Sequence, residues 1–464
     1  MIKYLEGGWM MNAKKKVYVT DFTEGSIAPK LMKFALPLFA ASLLQVVYNM
    51  VDMIIVGQRL GKVGLSAVSI GGDVSNFLTF IAMGFANAGQ VIISQYIGAK
   101  KHNELSRFIG TMVSSLLMSA LIISGVCLFL REPVLAVMNT PIEAWDDALG
   151  YSTVCIAGLV FIYGYNVASA ILRGMGDSKH PFIFIAIASI INVILDVIFV
   201  LALDMRAMGA ALATVMSQGT SFLLCAWFVY KKSERFGLKL TLEDFLYIEK
   251  EKLGELIKLG LPMAIKSASI QFSKLFVNSY INSYGIAVSG FAGIANKINS
   301  ISNLISNSMN TAGSSMVGQN IGAKKYKRVP HIIWIIACIT LSIATLFSIL
   351  IYSFPEFIFS IFTSDLEVIK VGIQYLPVAV LIFFGSACRA PMNALINGSG
   401  NYKINFATAI LDGIVMRIGL ALILGIGLQM EYLGFWFGDA LAGFTPMVIG
   451  LVFLFSGKWK ASKV

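Results

Sequence analysis

Apolar stretches of about 20 residues or more follow one another along the whole chain, with short polar turns between them. Each is long enough to cross a hydrocarbon layer of roughly 30 Å. The pattern predicts twelve spans, near 31–57, 63–97, 105–130, 143–172, 181–203, 207–231, 253–282, 287–321, 327–353, 366–397, 402–427 and 432–456. They are read as helices, because lipid offers no partner to an unpaired backbone group and no segment reads as an alternating barrel strand of about ten residues. The fold class expected is therefore an all-α membrane protein.

The chain also repeats itself. Gly89 to Lys101 reads GQVIISQYIGAKK, and 224 residues later Gly313 to Lys325 reads GSSMVGQNIGAKK. At the same offset Ala394 to Phe406 echoes Ala170 to Phe182, and, one residue out of step, Leu31 to Pro37 recurs as Leu256 to Pro262. A period this long indicates one module duplicated and fused, not a solenoid. Such halves pack around a central pathway in membrane chains. Each holds six spans, and an even number gives both the same orientation, related by a pseudo-twofold axis along the membrane normal. The expected units are an N-terminal tail (1–30), an N-lobe (31–231), a linker (232–252), a C-lobe (253–456) and a C-terminal tail (457–464).

Composition agrees with this picture. Hydrophobic residues make up 57% and charged residues 13%, which excludes a soluble bundle of core helices. The net charge of +11 is a topology signal. With both termini in the cytoplasm, tails and cytoplasmic loops hold about 24 Lys/Arg and the opposite loops about 4. The basic residues sit in short loops, so nucleic acid is not expected as a partner. The linker, with its amphipathic Leu240 to Leu246, is expected on the cytoplasmic surface.

No secretory signal opens the chain, and translation is expected to start at Met11 rather than Met1 or Met10, in a bacterial source. The five cysteines lie singly within spans, with neither metal spacing nor a disulfide framework. The histidines, His102, His180 and His331, fall at loop edges. No cofactor or metal site is expected. No P-loop is present, so any pumping must draw on an ion gradient. No nucleophile, metal set or catalytic pair suggests an enzyme, and no ring-forming or filter-like segment suggests a channel.

The chemistry lies in polar positions inside the spans, where an acid is costly and points to function. In the first span Gln45, Tyr48, Asn49 and Asp52 stand at i, i+3, i+4 and i+7, on one helical face. The fifth carries Ser189, Asn192 and Asp196. The sixth carries Thr214, Ser217, Gln218 and Ser221, and the fourth Tyr163 and Asn166. Two carboxylates that converge in a low dielectric cannot both ionise cheaply. Either one keeps a proton or a monovalent cation sits between them.

The second half has the opposite polarity. Ser267, Gln271, Lys274 and Asn278 line its first helix beside Lys266. Asn296, Asn299, Asn303, Asn307 and Asn310 line its second beside Lys297. Arg389 lies in the tenth span, and Arg417 in the eleventh near Asp412; Asp412 and Asp439 form no stripe. These cations either meet an anionic or zwitterionic substrate group, or pair with acids and snorkel. Pro37 and Pro262 either kink their helices or mark their first turns.

The Tyr48-Asn49-Met50-Val51-Asp52 face, the Gly-Ala-Lys-Lys loops, Arg173-Gly174-Met175-Gly176-Asp177 and Asn192-x-x-x-Asp196 together resemble the multidrug and toxic compound extrusion (MATE) family, from Gly25 to the C-terminus. They are most similar to its prokaryotic branch of DNA-damage-inducible exporters. The resemblance implies a V-shaped pair of six-helix lobes that alternate between inward- and outward-facing states. It implies export of drug-like, often cationic, small molecules in exchange for H+ or Na+, by a monomer in the plasma membrane. It places ion coupling at Asp52, Asn166, Asn192, Asp196 and Thr214, and the helix-one bend at Pro37. A substrate cavity would take Gln45, Tyr48, Asn49, Tyr163, Gln218, Gln271, Lys274, Asn278, Asn299, Asn303 and Arg389. The C-lobe acids of the sodium-coupled branch are missing here, which moves coupling to the N-lobe. Alternatives are a lipid-linked oligosaccharide or lipid flippase of the same superfamily, and an exporter of one narrow anionic or zwitterionic metabolite.

Overall fold

A computed structural model describes residues 19–460 apart from positions 139, 237 and 239. The alternative start codons and the last four residues lie outside the described residues. Among the described residues, twelve long helical rods make up most of the fold. The first two, α1 (27–60) and α2 (61–98), form one helical run of 72 residues broken at Gly61, with φ 60° and ψ −150°. A straight helix of that length would measure about 108 Å, over three times the hydrocarbon thickness. The left-handed φ at Gly61, open to a residue without Cβ, returns the chain so that Ala41 and Phe85 share one core.

The N-lobe continues with α3 (His102–Phe129), α4, α5 (Lys179–Ala202) and α6 (Arg206–Lys231). The fourth consists of Trp145–Ala157 and Leu159–Gly174, bent by 47°. The C-lobe comprises α7 (Lys250–Asn282), α8 (Ile286–Gly322), α9 (Arg328–Ser353), α10 (Leu366–Gly398), α11 (Tyr402–Gly427) and α12 (Glu431–Ser456). Among the described residues, eight helices qualify as membrane spans by length and hydropathy, or nine with the bent α4, the 72-residue run counting once. The long helices missing from that set are α7 and α8. They carry Lys266, Lys274, Lys297 and the asparagine ladder, and a hydropathy average does not register a polar face turned inward.

Pro37 is the eleventh residue of α1 and Pro262 lies well inside α7. The first-turn reading of these prolines is therefore wrong. Each removes an N–H from a helix interior and leaves the carbonyl four residues earlier without its helical partner. The linker docks along α3: Ser114 Oγ donates to the Phe245 carbonyl at 2.5 Å, and the Glu249 N–H reaches Thr111 Oγ1 at 3.2 Å.

The lobes meet at the end of the bundle that carries the Gly-Ala-Lys-Lys loops. Lipid gives helices no hydrophobic drive to associate, so close approach and interhelical hydrogen bonds must hold them. Gly98 lies against the Gln319 carbonyl and Gly322 against the Gln95 carbonyl, both too close for a Cβ. Gln90 Nε2 donates to the Thr311 carbonyl (3.1 Å) and Ser315 Oγ (2.8 Å), and Gln95 Nε2 to the Gly398 carbonyl (2.8 Å). Residues 20–25 cross this end. The Phe22 N–H donates to Gln319 Oε1, Asn320 Nδ2 donates to the Phe22 carbonyl, and the Thr20 N–H reaches the Met175 carbonyl of the N-lobe. Buried Lys252, at the start of α7, pairs with Glu104 of α3 at 2.5 Å and donates to Tyr96 Oη at 2.7 Å. Among the described residues, every hydrogen bond between α1–α6 and α7–α12 lies at this end. The result is a two-lobed V, closed where the repeated sequences are and splayed at the other end.

Candidate transport site

Asp52 on α1 and Asp196 on α5 are both buried, at 8% and 0% exposure. The sequence places each on the inward stripe of its helix, and the helices bring the two carboxyl groups close enough to interact. Asp52 Oδ1 and both Asp196 oxygens accept no bond from any donor among the described residues. Two facing carboxyls can share a hydrogen bond only if one retains its proton, and a bare pair of charges at this depth is prohibitive. One turn before Asp196, Asn192 is fully buried with neither amide atom satisfied. Asp196 is also the last α-helical residue before a π-helical segment, Val197–Ala202, a wider turn found often at functional sites.

The remaining expected residues divide. Tyr48 is buried beside Gln218, whose Nε2 lies 3.4 Å from its hydroxyl, and Gln45 is half-buried. Asn49 is exposed, at the edge of the face that Tyr48 and Asp52 occupy. Asn166 turns back on its own helix, donating to the Ile162 carbonyl at 2.8 Å. Thr214 is half-buried and makes no hydrogen bond to either aspartate. Tyr163, expected in a cavity, is instead buried with its hydroxyl on the Leu78 carbonyl at 3.1 Å, tying α4 to α2.

In the C-lobe Gln271 is exposed. Lys274, Asn278 and Asn299 line a narrow recess with Tyr375, Trp436 and Asp439. Arg389 donates to Asn303 Oδ1 at 2.8 Å, and Asn303 Nδ2 to Asn299 Oδ1 at 3.1 Å. Lys266 donates to Asn393 Oδ1 at 2.7 Å. Asp412 and Asp439, which form no stripe in the sequence, converge on Arg417: its Nη2 lies 3.3 Å from Asp412 Oδ1, and its Nη1 bonds Asp439. Asp412 sits in a second π segment, Leu411–Val415. There the wider turn brings residue i+5 back toward residue i, a pairing that α-helical spacing hides. Among the described residues no group of three potential metal ligands exists.

Arg417 is 3% exposed and is the ion-pair partner of both acids. Replacing Arg417 by Met should therefore destabilise the C-lobe by about 3–5 kcal/mol, the cost of stranding buried carboxylates. Adding Asp412→Asn and Asp439→Asn should recover most of the loss. Thermal unfolding in detergent, followed by tryptophan fluorescence, would show both effects.

A duplicated, two-lobed helical bundle with a carboxyl pair buried in one lobe and cations in the other defines a membrane transporter. The MatE family model matches residues 37–198 and again 262–423, two windows set 225 residues apart that together cover most of the chain. The chain belongs to this family of multidrug and toxic compound extrusion transporters, whose members are transporters and not enzymes. Among relatives, it is 28% identical over 446 residues to the probable multidrug resistance protein YpnP of Bacillus subtilis, covering 96% of this chain and 98% of that one. It is 24% identical to the probable multidrug resistance protein NorM of Thermotoga maritima, over 97% of each. Among solved structures, a MOP-superfamily transporter from Pyrococcus furiosus, described by the reverse polarity of its binding pocket, superposes with a TM-score of 0.85 at 23% identity. It covers 94% of this chain and 96% of that one. An outward-facing multidrug resistance MATE transporter gives 0.84 at 23% identity, covering 94% and 97%.

Proposed function

We propose that the protein is an antiporter that exports drug-like organic molecules in exchange for H+ or Na+, coupled through Asp52 and Asp196. The observation that carries this reading is a pair of buried, facing carboxyl groups with no other donor, beside an unsatisfied Asn192. Such a pair must hold a proton or a monovalent cation. Multidrug names borne by relatives across nearly their full length support export of several compounds.

Orientation follows from charge. The closed end of the V carries the Lys100, Lys101, Lys324 and Lys325 loops, and the positive-inside rule assigns it to the cytoplasm. Both termini then lie inside, and the described state opens outward. In the exchange, the cargo enters from the cytoplasm once the sealed end parts. An external ion then binds the aspartate pair, changes the packing of α1 against α5, and favours release outside. The gradient can drive the cycle only as far as the ion's affinity differs between the two states. Asn192 is placed to orient the ion on Asp196. Asn166 and Thr214 act, in this scheme, only after a local rearrangement.

Purified protein in liposomes with an imposed pH or sodium gradient tests this. Accumulation of a fluorescent organic cation or zwitterion should follow one of the gradients and collapse when that gradient is dissipated. Equal uptake with and without either gradient would remove the antiport assignment.

A further inference from the structure

The N-lobe buries the Asp52–Asp196 pair, with Arg173 near the closed end bonded to Gln90 and Ser169, whereas the C-lobe gathers Lys266, Lys274, Arg389 and Arg417 around only two carboxylates, Asp412 and Asp439. Arg417 takes both of those acids. Lys266 and Arg389 are left with neutral partners, the side-chain oxygens of Asn393 and of Asn303 and Ser386. Lys274 donates to none of the described side chains and faces the recess beside Asn278 and Asn299. Four cations against two acids leave two positive charges with no counter-charge of their own. Inside a membrane that arrangement is costly unless an anion completes it.

The recess adds shape to the charge. Its other walls are Tyr375 of α10 and Trp436 of α12, held edge to face with ring centroids 4.9 Å apart. One side thus offers an ammonium and amide groups, and the other the edges of two rigid rings that are themselves largely buried, at 2% and 6% exposure. Lys274 also occupies, one repeat on, the position of Asn49 in the helix that carries Asp52 (offset 225, as for Leu31 and Leu256). A neutral amide in the first half is thus matched by a cation in the second.

We propose that the recess between α7, α8, α10 and α12 binds the anionic group, a carboxylate or a phosphate, of an amphiphilic aromatic or lipid-like cargo, with Lys274 as its principal ionic contact. Asn278 and Asn299 donate to the anion's remaining oxygens, and Tyr375 and Trp436 pack on the apolar body. Lys266 and Arg389 raise the local potential from behind. Asp439 lies in the same recess, bonded to Arg417 and within electrostatic reach of Lys274 as well, so an incoming anion shares Lys274 with it. The proposal rests on the export reading for how the cargo moves, and not for whether it binds.

Rhodamine B and its ethyl ester share one coloured cation and differ by a carboxylate, so they isolate the anionic contact without a gradient. Fluorescence anisotropy with purified protein in phosphatidylcholine nanodiscs should show the acid bound at least about tenfold tighter than the ester, the scale of one charge-assisted contact. In Lys274→Gln and Arg389→Gln the acid should weaken toward the ester, while the ester itself stays within about threefold of wild type. The same titration in nanodiscs containing phosphatidylglycerol separates the two sources. Loss of the acid's advantage in wild type there identifies a lipid headgroup as occupant, and its persistence identifies a free organic anion. Equal binding of acid and ester by wild type, which needs no variant to fold, would overturn the proposal. So would an acid preference that Lys274→Gln leaves intact. Absence of gradient-driven transport alongside an intact, Lys274-dependent preference would count against the antiporter reading alone.

Discussion

Liposomes carrying Asp196→Asn will take up no substrate above leak when a proton or sodium gradient is imposed, a fall of roughly a hundredfold, at the upper range of coupling energies between two sites. Asp52→Asn is expected to do the same. The substitution is chosen because it separates two roles for the pair. Asparagine fills the same space and donates N–H to the remaining carboxylate, so a pair that merely glues α1 to α5 would survive it. A pair that loads and unloads an ion would not, because an amide neither titrates nor carries the charge. Thermal unfolding should therefore stay within a few degrees of wild type, or rise, since a facing pair of acids is replaced by a neutral–anionic hydrogen bond. Transport at the wild-type rate in either variant would sink the coupling assignment. Loss of transport with a collapse in stability would point to a structural role.

Much of this architecture is legible in the chain because the bilayer restricts the answer. An apolar span of about 20 residues without barrel-strand alternation must be a helix, the loops on one side are basic, and the two halves carry the same loop sequences. The facing of Asp52 and Asp196 is legible too, since each sits on the polar stripe of an otherwise apolar helix. What the sequence conceals has definite physical causes. Asp412 and Arg417 are five apart, a spacing that α-helical geometry sends to different sides and a π segment brings together. Asn166 and Tyr163 lie on the expected stripe, yet their polar atoms are used by the backbone of α4 and α2. The residues that join the lobes, Gln90, Gln95 and Gln319, look in sequence like ordinary polar members of a repeated motif. Only the fold shows that each reaches across to the opposite lobe or to residues 20–22. The aromatic wall of the C-lobe recess comes from α10 and α12, more than 60 residues apart (Tyr375 and Trp436), and no local pattern pairs them.

The repeated loops carry the second large effect. Gly98→Val and Gly322→Val should each abolish transport while leaving both lobes folded, because each glycine touches a carbonyl of the opposite lobe and not its own. A Cβ at position 98 would overlap the Gln319 carbonyl, and one at 322 the Gln95 carbonyl, so the lobes must separate to admit it. Separation breaks the Gln95 bond to Gly398 and the Gln90 bonds to Thr311 and Ser315, in a region where Ser94 is fully buried. Each lost bond weighs about 1 kcal/mol, so losing three shifts the closed–open balance by roughly a hundredfold toward a parted cytoplasmic end. A cysteine placed at Ser94, in a background where the five native cysteines are replaced, reports this directly. A membrane-impermeant maleimide applied from the cytoplasmic side should label it slowly in the parent and much faster in either valine variant. The paired glycines also show why the motif recurs. A twofold-related seal needs the same small residue on both lobes, each packed on the other's glutamine. Unchanged labelling in both variants would mean that the lobes accommodate a Cβ by sliding, and that the seal lies elsewhere.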